Sequence, residues 1–377
     1  ASSRIGTLRP GESAVFMGEV PKWFRINHPT HGIGFVSKSW THIVTDNSAD
    51  SPDRFDVYAV DVATGLAIFV RGQDFNLVFD AGSNDDLSGN RFLDFLIEKV
   101  PGTTTIDHLL ISHAHRDHIS MLPGLLQSVQ VTNIWDSGVV YASCTYQTLL
   151  EGIAGEGSNY HTAVHDIGQD DIQFNQTCSN TGSSVNMTFA SRMSTGTIQL
   201  GNNASMIFLH VDGTPRSDLN ENSLVVMLEL GQTRILLTGD AGGGGRANPT
   251  NPPDDGSVEK ALIDCCSDML PADILVLGHH GSMTSSREQF VDAVQARDFI
   301  VSSGPKVYGS VVLPDQVVID LVSSKPNARV WRTDLDDSAC MTATDKVGSD
   351  NDGKAGGCTN IHVQIPGAAS SYTVSVM

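Results

Sequence analysis

Positive charge is scarce in this sequence. Its 377 residues carry 23 Lys+Arg against 43 Asp+Glu, a formal net charge of −20. Proteins that grip polyanions commonly present a basic stripe, because neutralising phosphates drives that binding. No such stripe is present, which disfavours long nucleic acid as a partner. A small anionic or ester substrate stays open, since bound divalent ions would supply local positive charge. Long hydrophobic runs are also missing: nowhere do roughly 18 uncharged apolar residues follow one another, so no membrane-spanning helix is expected. None of Cys144, Cys178, Cys265, Cys266, Cys340 and Cys358 forms a C-x-x-C metal pattern. What the chain does have is 40% apolar residues, enough to bury a substantial core.

The polar parts carry processing signals. Cys340 and Cys358 flank the segment SDNDGKAGG, which cannot pack a core, and a disulfide between them would close that loop. N-x-S/T sequons stand at Asn175, Asn186 and Asn203 in a stretch nearly free of charge. Together they favour an exported, extracytoplasmic protein. Residues 142–205, rich in Gly, Ser, Asn and Thr, are expected to be a substrate-side insertion or irregular loops.

Three segments are legible along the chain. Residues 1–45 alternate short strands and turns and carry the aromatic pair Trp23-Phe24 and Trp40. Residues 46–54, DNSADSPDR, have linker composition. From Phe55 to Met377, apolar strands such as FDVYAVDV, LAIFV and FNLVFDAG interleave with helical periodicity in LSGNRFLDFLIEKV, the pattern of an α/β domain.

The chemistry is concentrated at strand ends. His113-Ala-His115-Arg-Asp117-His118 follows the apolar run Leu109-Leu110-Ile111-Ser112. Imidazole and carboxylate are favoured ligands of zinc and related divalent ions. Four such groups within six residues suit two ions sharing a water whose acidity rises enough to attack an ester near neutral pH. Arg-Ile-Leu-Leu-Thr-Gly-Asp240-Ala and Asp-Ile-Leu-Val-Leu-Gly-His279-His280-Gly-Ser are further strands ending in ligand-type residues, and Asp80 ends the strand FNLVFDAG.

These residues match in full the H-x-H-x-D-H signature of the metallo-β-lactamase superfamily. The resemblance implies an αββα sandwich for residues 55–377, with two divalent ions, zinc first and manganese as the alternative. It implies His113, His115, Asp117, His118, Asp240 and His280 as ligands, with Asp240 bridging. Catalytic roles fall to Asp117, Asp240 and the auxiliary His279, and Asp80 supports the site from behind. The third histidine of the first ion is His210, with His161 and His165 as alternatives. His28, His31, His42, His108 and His362 are expected to be structural.

Residues 55–345, outside 142–205, resemble the hydrolase domain of ComEC-type competence proteins through NENSLVVMLELGQTRILLTGD, HHGS and VWRTD. That branch implies hydrolysis of phosphodiesters or similar esters, with lactone or β-lactam hydrolysis as the alternative on the same ligands and an inactive wall-binding protein as the third reading. Arg116, Ser282, Thr284 and Tyr308 are candidate substrate contacts. The ending GFVSKSW makes residues 1–45 similar to a bacterial SH3-like barrel, a resemblance that implies cell-wall peptidoglycan as a partner.

Overall fold

Alternation within single strands builds the layers of this molecule. In a strand, successive side chains point to opposite faces. Val57, Ile68, Val70, Leu77, Phe79, Val226, Leu228, Ile235, Leu237, Ile274 and Val276 join one core cluster. Their strand neighbours Tyr58, Phe69, Val78 and Leu109 join a second cluster with Phe92, Leu122 and Leu149. Val225, Met227, Leu236 and Leu275 join a third with Leu262, Phe290 and Val318. Two sheets therefore face each other across the first cluster, and helices cover each outer face. This is the expected αββα sandwich.

The computed structural model describes residues 15–20, 23–28, 32–37, 54–87, 89–174, 178, 182–304, 306–335, 359–367 and 371–377. Strands β1 Val15–Val20, β2 Trp23–His28 and β3 Gly32–Ser37 form a three-stranded antiparallel sheet. Trp40, the linker residues 46–53, Asn175, Cys340 and Cys358 lie outside the described residues.

The main domain continues with β4 Phe55–Ala59, β5 Ala67–Arg71, β6 Asn76–Ala81, α1 Arg91–Lys99, β7 Thr105–Ile111, α2 Arg116–Ile119, α3 Leu122–Leu126 and β8 Gln130–Asp136. Then come α4 Cys144–Glu156, β9 Asn159–Thr162, β10 Gly168–Gln173, β11 Ser184–Arg192, β12 Gly196–Gly201 and β13 Ala204–His210. The second half holds β14 Val225–Leu230, β15 Thr233–Leu237, α5 Val258–Cys266, β16 Ile274–Val276, α6 Glu288–Val294 and β17 Asp298–Val301. It ends with β18 Val307–Tyr308, β19 Val311–Val312, α7 Gln316–Ser323, β20 Arg329–Arg332, β21 Ile361–Ile365 and β22 Thr373–Val376.

The ten-stranded sheet runs β10-β11-β9-β8-β7-β6-β5-β4-β21-β22, and the seven-stranded sheet runs β12-β13-β14-β15-β16-β17-β20. Pairings β6–β7, β7–β8 and β8–β9 are parallel, as are β15–β16, β16–β17 and β17–β20. Parallel strands bring their carboxyl ends to one edge, where α/β proteins bind ligands.

The expectation of irregular loops over 142–205 is corrected. Helix α4, capped by Ser143 accepting from Tyr146 N at 3.1 Å, packs Tyr146, Leu149, Leu150 and Ile153 inward. In β11, Val185, Met187 and Phe189 are buried while Asn186 and Thr188 are exposed, a period-two pattern inside an uncharged polar background. A Cys144–Cys178 disulfide ties the start of α4 to the segment after β10, and a second joins the adjacent Cys265 and Cys266.

Candidate metal centre

Neighbouring parallel strands deliver the candidate ligands to one rim. The loop leaving β7 carries Ser112, His113 and His115, and the short α2 carries Asp117 and His118. Close approach makes room for them: a Cβ on Gly65 would lie 2.0 Å from Gly82 O and 2.6 Å from Asp117 O. Only glycine there lets Leu66 N donate to Asp117 O at 3.0 Å and seat α2 on the sheet. From the other sheet, Asp240 follows β15, and His279 and His280 follow β16 in a 3-10 turn.

Left-handed backbone occurs at three of these positions: φ is 57° at Asp80, 48° at His279 and 55° at His280. Non-glycine residues held there store strain of about 1–3 kcal/mol each and persist where surrounding structure fixes them. Asp80 is fixed by Ser112, whose N–H and hydroxyl donate to its two oxygens at 2.7 and 2.6 Å.

Each buried imidazole is oriented from behind. His118 Nδ1 donates to Asp80 Oδ2 at 2.8 Å, which turns its Nε2 to within 3.1 Å of Asp240 Oδ1. His280 Nδ1 donates to the Ser302 carbonyl at 2.9 Å, leaving Nε2 3.6 Å from Asp117 Oδ2 and 3.7 Å from Asp240 Oδ1. His113 Nε2 stands 3.8 Å from Asp240 Oδ2 and 2.9 Å from His115 Nδ1. Such outer hydrogen bonds fix the tautomer and aim of metal-ligating histidines.

Two groups result: His113, His118 and Asp240, and Asp117, His118 and His280, each with its ligand atoms within 4.8 Å of one another. His118 Nε2, Asp240 Oδ1 and His280 Nε2 are buried without a hydrogen-bond partner. Buried polar atoms of this kind require an explanation. Three of them converging with imidazole and carboxylate chemistry fit divalent cations.

The electrostatics agree. Burial alone would lower the pKa values of His118 and His280, but the carboxylates around them raise both: Asp240 and Asp80 at His118, Asp240 and Asp117 at His280. Burial alone would likewise raise Asp117 and Asp240, yet the surrounding histidines hold both below the usual carboxylate range. The cluster draws positive charge.

A cavity of about 590 Å³ opens on this rim, lined by His115, Asp117, Asp240, His279 and His280 among others. His279 is half-buried on its wall, with Nδ1 2.8 Å from Thr284 Oγ1 and Nε2 3.8 Å from Asp240 Oδ2. The Thr284 hydroxyl donates to Ser282 Oγ at 3.0 Å, so it accepts from His279 Nδ1–H and leaves the Nε2 lone pair toward the cavity.

The remaining candidates divide. Ser282, Thr284, Tyr308 and Arg116 all line the cavity. Arg116 is tied to Asp86 Oδ1 at 2.8 Å and to the Asn84 carbonyl. Neither His115 nor His210 joins either group: His115 Nδ1 stands 2.9 Å from His113 Nε2, and His210, beyond a register shift in β13, has Nδ1 2.9 Å from the Ser223 carbonyl. His161 stacks on Trp135 with ring centroids 4.0 Å apart, and His165 on Phe189 at 4.3 Å; neither lines the cavity.

Sequence reasoning missed Asn84, whose Nδ2 donates to Asp117 Oδ2 at 2.6 Å and to Tyr308 Oη at 2.7 Å. It also missed Asn220, 3.5 Å from His279 Nε2, and Arg246 on the cavity wall. The one available signal was position: each stands within a few residues of a motif already singled out.

Stretches of this chain are similar to known proteins. The family model described as Metallo-beta-lactamase superfamily matches residues 60–172. ComE operon protein 3 of Bacillus subtilis (strain 168) is 23% identical over 260 residues, or 68% of this chain; the match spans 27% of that protein's length. Among solved structures, the metallo-β-lactamase fold protein YhfI from Bacillus subtilis is 12% identical, with 74% of this chain and 96% of that one covered at a TM-score of 0.42. CmlA, a diiron β-hydroxylase from Streptomyces venezuelae, is 15% identical, with 75% and 53% covered at 0.41. The family match lies over the strands and the loop that carry His113 to His118, so residues 60–172 are similar to the metallo-β-lactamase superfamily, and the distant relative accords with the competence-protein branch.

Proposed function

We propose that this chain is a dinuclear metal-dependent hydrolase acting on small phosphoester or phosphodiester substrates. One observation carries the reading: two ligand groups share His118 beneath one open cavity, with three buried ligand atoms that have no hydrogen-bond partner. His113, His115, Asp117, His118, Asp240 and His280 would hold the ions. When bound, such a pair polarises an ester oxygen and acidifies a water for attack.

The protein's own part is orientation and proton handling. Asp80 and the Ser302 carbonyl hold the imidazoles in one tautomer. His279 presents Nε2 to the cavity, where it can hold or pass a proton at a leaving oxygen. Asn84 steadies Asp117 against Tyr308.

An oxidising, extracytoplasmic location is part of the proposal, supported by the Cys144–Cys178 bond. The same holds for wall attachment through the N-terminal strands, supported only by their sequence pattern. The net charge of −20 favours small substrates over long nucleic acid.

The test is zinc or manganese loading followed by an ester panel. About two ions per chain and turnover of bis(p-nitrophenyl) phosphate are expected, since two-metal sites clamp both oxygens of such a displacement. Fewer than one ion per chain, or turnover of nitrocefin or acyl lactones alone, would defeat the reading.

A further inference from the structure

Another buried polar system lies beside the cavity, outside the His/Asp cluster. Arg287, at the start of α6, is fully buried. Its guanidinium donates to the carbonyls of Gly243 at 3.3 Å, Gly245 at 2.5 Å, Ala247 at 2.9 Å and Asn248 at 3.1 Å. Glu259 on α5 accepts from Arg287 N at 3.0 Å and from Ser286 N. A guanidinium is costly to bury unless its donors are satisfied. Here the acceptors named belong to one segment, GGGGRAN, which follows Asp240-Ala241 and has almost no apolar side chain of its own to anchor it.

Glycine is required for the fit. A Cβ on Gly243 would lie 2.3 Å from Glu259 Oε2 and 2.4 Å from Arg287 Cγ, so the backbone rests directly on the buried pair. The segment is held from beneath, and what it presents to the cavity is Arg246.

Arg246 Nη2 donates to Asp315 Oδ1 at 2.6 Å and Nη1 to Ser282 Oγ at 3.3 Å. Ser282 Oγ also receives the Thr284 hydroxyl, which accepts from His279, so one hydrogen-bonded chain joins Arg246 to His279. The Arg246 side chain is 38% exposed, and its planar fork carries further N–H donors beyond these two. An ion pair at that exposure is weak and shares its guanidinium readily with an anion. A guanidinium edge matches the paired oxygens of a phosphoryl group in a way that an ammonium does not. Arg116, the other arginine on the wall, is instead bound to the 84–86 segment.

We propose that Arg246 is the specificity-determining residue that receives the non-bridging oxygens of a phosphoester, and that Arg287 and Glu259 are its positioning pair. This rests on the hydrolase reading above and narrows its substrate class to anionic esters.

The test compares metal-loaded wild type with Arg246→Met and Arg246→Lys. The ratio of kcat/KM on bis(p-nitrophenyl) phosphate to that on neutral p-nitrophenyl acetate should fall about 10- to 100-fold in Arg246→Met, the worth of a charged hydrogen bond. Arg246→Lys should fall less. Calorimetric affinity for inorganic phosphate should drop by a similar factor. Glu259→Gln should lower the same ratio while KM for the phosphodiester rises more than kcat falls, which a purely structural role would not select. An unchanged ratio with unchanged phosphate affinity in Arg246→Met overturns the inference, as does wild type that binds no phosphate. Wild type that binds phosphate through Arg246 but hydrolyses no ester leaves this inference standing and removes the hydrolase reading instead.

Discussion

The two sheets supply the cluster in different ways. The ten-stranded sheet contributes Asp80 and then His113 to His118, from the ends of the adjacent strands β6 and β7. Those ligand candidates from the second strand occupy six consecutive residues. The seven-stranded sheet contributes Asp240, His280 and the Ser302 carbonyl from the ends of β15, β16 and β17, positions dozens of residues apart in the chain. Both sides obey one rule, that parallel strands end on a common edge, yet only the first compresses its ligands into a local motif. The side that depends on topology also carries the buried Arg287–Glu259 pair and the glycine segment. A long connection needs an anchor that a six-residue loop does not.

The widest break in this comparison comes from removing one carboxylate per side. Asp240 lies within reach of His113, His118, His279 and His280, whereas Asp117 faces His280 and Asn84. Asp240→Ala should lower kcat at least about 1000-fold, the several kcal/mol that a two-metal site contributes, and leave less than one ion per chain by metal analysis. Asp117→Ala should abolish turnover too but retain one ion. Equal ion loss in the two variants would mean that the two ions bind only together.

The disulfides differ between the sides as well. Cys144–Cys178 closes a loop of sequence separation 34 over the ten-stranded sheet, while Cys265–Cys266 closes none. Cys178→Ser should cost about 3–4 kcal/mol of stability on loop-closure grounds, read from urea midpoints under oxidising conditions. Cys266→Ser should shift the midpoint far less.

A smaller effect sharpens how the motif side is oriented. Asp80→Asn keeps a side chain tolerant of left-handed backbone and keeps an acceptor for Ser112, but it weakens the aim of His118. Metal affinity measured against a chelator should fall about 10- to 100-fold, the usual effect of losing an outer hydrogen-bond partner. Full affinity would show that Asp80 serves only the backbone.

How much of this was legible in the sequence follows from the same asymmetry. The signature from His113 to His118, the strand-end Asp240 and the pair His279-His280 were readable because each ends an apolar run. His210 also ends such a run, yet it falls in neither ligand group, and the bulge one residue earlier in β13 is not encoded by any propensity. Helix α4 and strand β11 were hidden by composition: Val185, Met187 and Phe189 looked like isolated apolar residues among Ser, Asn and Thr. Arg246 was passed over for a different reason. Four glycines before an arginine signal a loop, and only Arg287, about forty residues downstream, reveals what the loop rests on.

The pH dependence of stability gives the mildest test, and it falls on the seven-stranded side. Glu221, whose carboxylate accepts from Val258 N at 2.9 Å, has its pKa pushed from 4.5 up to about 7, chiefly by burial, with Asp218 adding repulsion. Its neighbour Glu259 is pushed up to about 8 in the same direction and for the same first reason. A raised carboxyl pKa means that the folded chain holds a proton that the unfolded chain has released. The stability contributed by Glu221 is therefore fully present below pH 4.5 and is lost as pH rises through about 7. Glu221→Gln keeps an acceptor for Val258 N and removes the titration. Between those pH values the wild type should lose on the order of 1–3 kcal/mol relative to this variant, measured as the difference of two urea-unfolding series at matched metal content. Parallel curves would mean that Glu221 is ionised in the folded chain, and that water rather than the α5 terminus surrounds it.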